Sequence, residues 1–213
     1  MLEIDKLRDA ENFLLKKSVV IFDLDDTLYS EKDYVKSGYA EIGCNFKGID
    51  EMASKLWSAF QSGKQAINYV LEQEGLLSED AIKLCLNIYR NHQPQISLYP
   101  DAKNLLEILK SGGVRLGMIT DGRPEGQRAK IKCLGIEPYF EKIIITDELG
   151  GIAFRKPNTV AFEKMRDFFK VPYKSMVYIG DNPKKDFIAP ELLGMESVYF
   201  NNPEGLYSTR KVL

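Results

Sequence analysis

Residues 18–23 read SVVIFD, a β-branched and aromatic run with no polar alternation, as in a parallel strand covered on both faces. Four further runs share the pattern: VRLGMIT at 114–120, KIIIT at 142–146, MVYIG at 176–180 and SVYF at 197–200. Between them the spacing turns helical. Residues 101–110 carry Leu105, Leu106, Ile108 and Leu109 along one side and stop at Gly112-Gly113, a helix terminator before a strand. Residues 124–134, 157–169 and 184–193 repeat the helical spacing. Alternating strand and helix predicts an α/β fold, a doubly wound, Rossmann-like parallel sheet of about five strands joined by right-handed crossovers. Ligands of such a sheet bind at the carboxyl ends of its strands.

One stretch breaks the alternation. Residues 31–95 contain no strand pattern but several amphipathic pieces, at 52–60, 65–74 and 79–89, separated by Gly48, Gly63 and Gly75. A stretch of this length is too long for a plain loop in a compact domain. The expected organisation is therefore an α/β core domain of residues 1–30 and 96–213, with residues 31–95 forming a small all-helical cap above the sheet's carboxyl edge.

Composition narrows the partners. Hydrophobic residues are 44% of the 213 and charged residues 28%, enough apolar surface to build a core and too much for a disordered chain. Lys and Arg number 29 against 31 Asp and Glu, a formal charge of −2, so no global field draws the chain to nucleic acid or to an anionic membrane. Cys44, Cys85 and Cys133 are odd in number and widely spaced, which suggests neither a disulfide framework nor a thiolate zinc site. The charged residues scattered through 1–17 are unlike a signal peptide, and a cytoplasmic protein is expected. The single histidine, His92, stands before Pro94 and reads as an exposed linker residue; it leaves a Ser-His-Asp hydrolase little to work with.

The polar residues of interest fall where strands end. The first strand runs into Asp23-Leu24-Asp25-Asp26-Thr27, the second into Thr120-Asp121-Gly122, and the fourth into Gly180-Asp181-Asn182, with Asp186 five residues after Asp181. Lys156 immediately precedes a helix. In a parallel sheet these ends converge on one crevice. Several carboxylates held together need a cation or protons to balance them. With oxygen ligands and no His or Cys on offer, Mg²⁺ is favoured over zinc or copper. Lys156, the Thr120 hydroxyl and the backbone N–H groups at Asp121-Gly122 add donors suited to a phosphate. Asp26 reads as a solvated turn residue.

These motifs resemble those of the haloacid dehalogenase-like superfamily of hydrolases, and its phosphatase branch in particular. The D-x-D-x-T motif matches Asp23 to Thr27, the Thr or Ser motif matches Thr120, the lysine matches Lys156, and G-D-x-x-x-x-D matches Gly180, Asp181 and Asp186, all in the right order. The helical insertion lies where one large subgroup carries its cap. The resemblance implies that Asp23 is the nucleophile, forming an aspartyl-phosphate that water cleaves, and that Asp25 protonates the departing alcohol and later activates the water. That role calls for a raised Asp25 pKa. The resemblance further implies Mg²⁺ on the carboxylates of Asp23 and Asp181 and the backbone carbonyl of Asp25. It places phosphate oxygens on Thr120, Lys156 and backbone amides. Asp186 would orient Lys156 or the metal's water, and Thr27 would brace the turn that aims Asp25.

A small phosphorylated metabolite is the expected partner, and the oligomeric state stays open. Glu31, Tyr34, Lys36 and Trp57 are candidates for reading the leaving alcohol, and Arg123 and Gln127 either for touching substrate or for a surface role. Three alternatives remain at this point: a sugar phosphomutase with the same nucleophile, a phospho-accepting signalling module, and a non-catalytic scaffold.

Overall fold

The computed structural model describes residues 1–207. A short strand, β1 (Leu2–Ile4), leads through the single-turn helix α1 (Glu11–Leu14) to β2 (Val19–Phe22). Four helices follow without a strand: α2 (Glu31–Asn45), α3 (Met52–Gln61), α4 (Ala66–Gln73) and α5 (Glu79–Asn91). The alternation then resumes with α6 (Pro100–Ser111), β3 (Arg115–Thr120), α7 (Pro124–Leu134), β4 (Lys142–Ile145), α8 (Val160–Phe169), β5 (Met176–Gly180), α9 (Ile188–Leu193) and β6 (Glu196–Phe200).

The six strands form one parallel sheet in the order β1-β6-β5-β2-β3-β4, the Rossmann-like α/β architecture expected from the sequence with one strand more. That extra strand, β1, pairs only with β6 at the sheet edge and offers three residues, too few to show a pattern. The central strands are buried along their whole length, which is why they read as uninterrupted apolar runs. Ile21, Ile119, Tyr178, Phe162, Met165 and Phe169 lie in one core cluster between the sheet and α8. Gly117 keeps that packing close: a Cβ there would stand 3.1 Å from the Phe169 ring.

Contacts divide the chain into two compact units, one of Met1–Glu31 with the chain from Ser97 onward, the other Lys32–Ile96. The second is all-helical and has its own core, including Tyr39, Ile42, Leu56, Val70, Leu71 and Cys85. Ser78 caps α5, its hydroxyl accepting from the Ala81 N–H at 3.2 Å. His92 is not the exposed linker residue anticipated. It is buried, with Nδ1 2.6 Å from the Tyr89 carbonyl and its ring 4.9 Å from that of Tyr34. The two tyrosines that enclose it lie far from it or just before it in sequence, so local composition gave no sign of burial. No helix among the described residues is long and apolar enough to cross a membrane.

Candidate active site

Sheet register brings the strand-end residues together. Phe22 pairs with Met118 on one side and Ile179 on the other, and the Asp23 N–H donates to the Ile179 carbonyl at 2.9 Å. Asp23 is thus level with the last residues of β3 and β5. Thr120 and Asp181 follow just beyond on either flank, at the ends of the two strands that pair with β2.

Lys156 reaches this point from the loop before α8. Its ammonium lies 2.7 Å from Oδ1 of Asp23 and 2.8 Å from Oδ1 of Asp186, and it donates to the Tyr178 hydroxyl at 2.7 Å. Asp186 Oδ2 accepts from the Asn182 N–H at 2.9 Å. The close approach depends on Gly180, because a Cβ there would stand 2.9 Å from Cγ of Asp186.

Asp23, Asp181 and Asp186 each offer a carboxylate oxygen within 4.8 Å of the others. Burial, helped by Asp186, pushes Asp23 up to about 7 against the pull of Lys156. Burial and the charges of Asp23 and Asp186 push Asp181 up to about 9. Among the described residues, three buried carboxylates against one lysine in contact leave negative charge unbalanced, and the donors are all oxygen. This set fits a hard divalent cation such as Mg²⁺.

Asp25 departs from expectation. Burial alone would raise it, but the Lys130 charge and hydrogen bonds from Lys130, Tyr29 and Gln127 outweigh that, and its pKa lies below the usual carboxylate value. Lys130 Nζ is 2.6 Å from Oδ1, the Tyr29 hydroxyl donates to the same oxygen, and Gln127 Nε2 donates to Oδ2 at 2.9 Å. Gln127 Nε2 also donates to Thr120 Oγ1 at 2.5 Å. Thr120 accepts that bond, so its own proton is available for a phosphate oxygen.

Lys130 and Tyr29 carried no functional reading in the sequence. Gln127 and Lys130 are three residues apart on α7 and share a face, a spacing that marks a buried polar pair only once that face is known to point inward.

The Asp121 side chain holds structure together. Oδ1 accepts from the Thr146 hydroxyl and the Lys156 N–H, both at 3.0 Å, and Lys185 lies 2.9 Å from Oδ2. Burial would raise it, but Lys156 and Lys185 bring it below its ordinary value. Any anion binding at this position falls to the backbone of Asp121 and Gly122, and Gly122 has the positive φ, +134°, that favours glycine.

Asp26, read as solvated, is buried instead, accepting from the N–H groups of Glu31 at 2.9 Å and Leu206 at 2.7 Å. These partners are 5 and 180 residues away, and the second is invisible to local reading. Thr27 is fully buried, and its hydroxyl makes no hydrogen bond among the described residues, so it supports the turn by packing.

The family model of haloacid dehalogenase-like hydrolases matches residues 20–200. A glyceraldehyde 3-phosphate phosphatase from Methanothermobacter thermautotrophicus is 30% identical over 86% of this chain and 85% of its own. Another from Methanocaldococcus jannaschii is 29% identical over 84% of this chain and 82% of its own. Among solved structures, a haloacid dehalogenase-superfamily hydrolase from Geobacter sulfurreducens superposes with a TM-score of 0.65, at 15% identity, over 88% of this chain and 89% of its own.

Proposed function

The chain belongs to the haloacid dehalogenase-like hydrolases, and from that membership we propose that it is a Mg²⁺-dependent phosphatase of small phosphomonoesters. The observation that carries the reading is the pair of acids at the end of β2. Asp23 lies in the carboxylate cluster with Lys156. Asp25, two residues on, is held apart from that cluster by donors of its own.

Asp23 attacks phosphorus, its new O–P bond forming as the bond to the alcohol breaks. Asp25 gives the departing oxygen a proton. Water then attacks phosphorus, Asp25 takes the water's proton, and the O–P bond to Asp23 breaks to free phosphate. The proton that Asp25 gives in the first step is thus replaced by the one it takes in the second. The Thr120 hydroxyl, the Lys156 ammonium and the amides around Leu24 and Gly122 hold the three phosphate oxygens where negative charge gathers. A bound Mg²⁺, on the carboxylates of Asp23 and Asp181 and the carbonyl of Asp25, would neutralise charge on the transferring group. Asp186 fixes Lys156.

The helical segment of residues 31–95 is proposed to select the alcohol. A cytoplasmic location is proposed from the odd number and wide spacing of the cysteines in the sequence.

The test is phosphate release over a panel of sugar phosphates, glyceraldehyde 3-phosphate among them, and nucleoside monophosphates, with Mg²⁺ and with EDTA. Release that requires the metal and concentrates on a few esters is expected. No release from any member contradicts the proposal, and transfer to a sugar phosphate in excess of free phosphate would indicate a mutase.

A further inference from the structure

Two neighbouring acids that share one reaction must not exchange roles, and the donors around Asp25 show how they are kept distinct. Oδ1 receives two, the Lys130 ammonium at 2.6 Å and the Tyr29 hydroxyl. A carboxylate oxygen has two lone pairs, so Oδ1 is saturated. Oδ2 receives one among the described residues, Gln127 Nε2 at 2.9 Å. The same nitrogen donates to Thr120 Oγ1, which ties Oδ2 to a phosphate-binding hydroxyl. Lys130 and Gln127 are both buried on α7, so these donors stand on a regular helix packed against the sheet. About a fifth of the Asp25 side-chain surface stays open, against 7% for Lys130, so the carboxyl is reachable while its holder is not.

We propose that Lys130, Tyr29 and Gln127 are positioning residues for leaving-group protonation: by filling Oδ1 and steering Oδ2, they make Oδ2 of Asp25 the oxygen that carries the proton. In the first half-reaction, the O–H bond at Oδ2 breaks as the alcohol's P–O electron pair takes that proton. In the second, Oδ2 recovers a proton from the attacking water. The inference rests on the phosphatase reading and assigns new residues to it.

Leaving-group chemistry separates this role from a merely structural one. An alkoxide needs a proton to depart, whereas p-nitrophenolate leaves without one. The ratio kcat/KM covers only the steps through departure of the alcohol, so slow hydrolysis of the aspartyl-phosphate does not enter it. Lys130→Met and the milder Tyr29→Phe are compared with wild type on p-nitrophenyl phosphate and on the fastest alkyl ester of the panel above. For Lys130→Met, kcat/KM is expected to fall at least ~100-fold on the alkyl ester, the usual scale of general-acid catalysis, and at least ~30-fold less steeply on the nitrophenyl ester. Tyr29→Phe should show the same bias in smaller measure, and Lys130→Arg should recover part of the loss.

Equal falls on both esters in Lys130→Met and in Tyr29→Phe, or no fall on either, overturn the inference. Should Lys130→Met fail to fold, the bias in Tyr29→Phe alone decides. A wild-type protein inactive on both esters refutes the phosphatase reading instead.

Discussion

The Lys156 ammonium stands 2.7 Å from Oδ1 of Asp23, with both side chains almost wholly shielded from water. A second carboxylate, Asp186, shares the same ammonium, so among the described residues the lysine is the cation in contact with a cluster of buried acids. Removing it exposes the cost of those acids directly.

Lys156→Met is therefore expected to destabilise the fold by roughly 3–5 kcal/mol, the usual consequence of breaking one side of a buried ion pair. It should also abolish turnover. Chemical denaturation measures the first effect, and saturating Mg²⁺ should restore part of the stability because a cation can answer the same carboxylates. A variant as stable as wild type would mean that Lys156 is not balancing the cluster.

The raised acids set a second expectation. Asp23, at about 7, and Asp181, at about 9, both titrate above the ordinary carboxylate value of 3.8. A group raised in the folded state favours folding most below its unfolded pKa, and that contribution is lost as pH climbs to the folded value. In EDTA the melting temperature should consequently decline between about pH 4 and pH 9 through these two groups. Mg²⁺ favours the ionised carboxylates, so its stabilising increment should grow over the same range. Thermal melts across pH with and without the ion measure this; an increment that shrinks as pH rises contradicts it.

Asp121 has the opposite sign. Its pKa is lowered, so the stability it contributes is present above 3.8 and disappears as pH falls through its lower folded value. Asp121→Asn should lose stability at neutral pH, where Lys185 and the Lys156 N–H lose a charged acceptor. It should also show a shallower decline in acid than wild type. Parallel acid limbs for the two proteins would show that Asp121 does not carry the effect.

Gly180 allows a purely steric test. Gly180→Ala places a Cβ against Asp186 and should push that carboxylate away from Lys156. Activity is expected to fall at least ~10-fold, as small misplacements at a reacting centre do. Unchanged kcat/KM would show that the contact between Asp186 and Lys156 is dispensable.

The residues legible in the sequence were those whose place is fixed by strand ends. Asp23, Thr120 and Asp181 sit at the carboxyl termini of apolar runs, and parallel pairing gathers such termini wherever the runs lie in the chain. The same logic gave the central strands and α6 to within a residue or two, and α7 to the residue. Side-chain partners were not legible. Lys130 reaches Asp25 across 105 positions, and Leu206 reaches Asp26 across 180, so neither contact leaves a local pattern. Asp25 was expected to be raised by its acidic neighbours and the substrate phosphate, as its catalytic role requires. The donors that lower it come largely from α7, far along the chain. α2 lies in the stretch expected to be helical but was not singled out there, because its glycines, Gly38 and Gly43, suit close packing and dilute the apolar spacing; a Cβ at Gly43 would stand 2.9 Å from that of Ala53.

The most direct measurement is to quench a single turnover in acid and locate the phosphoryl group by peptide mass spectrometry. A phosphoryl increment on the peptide that carries Asp23, absent from Asp23→Asn together with turnover, is the outcome this account requires. Phosphoryl on another residue, or full turnover by a correctly folded Asp23→Asn, would contradict it.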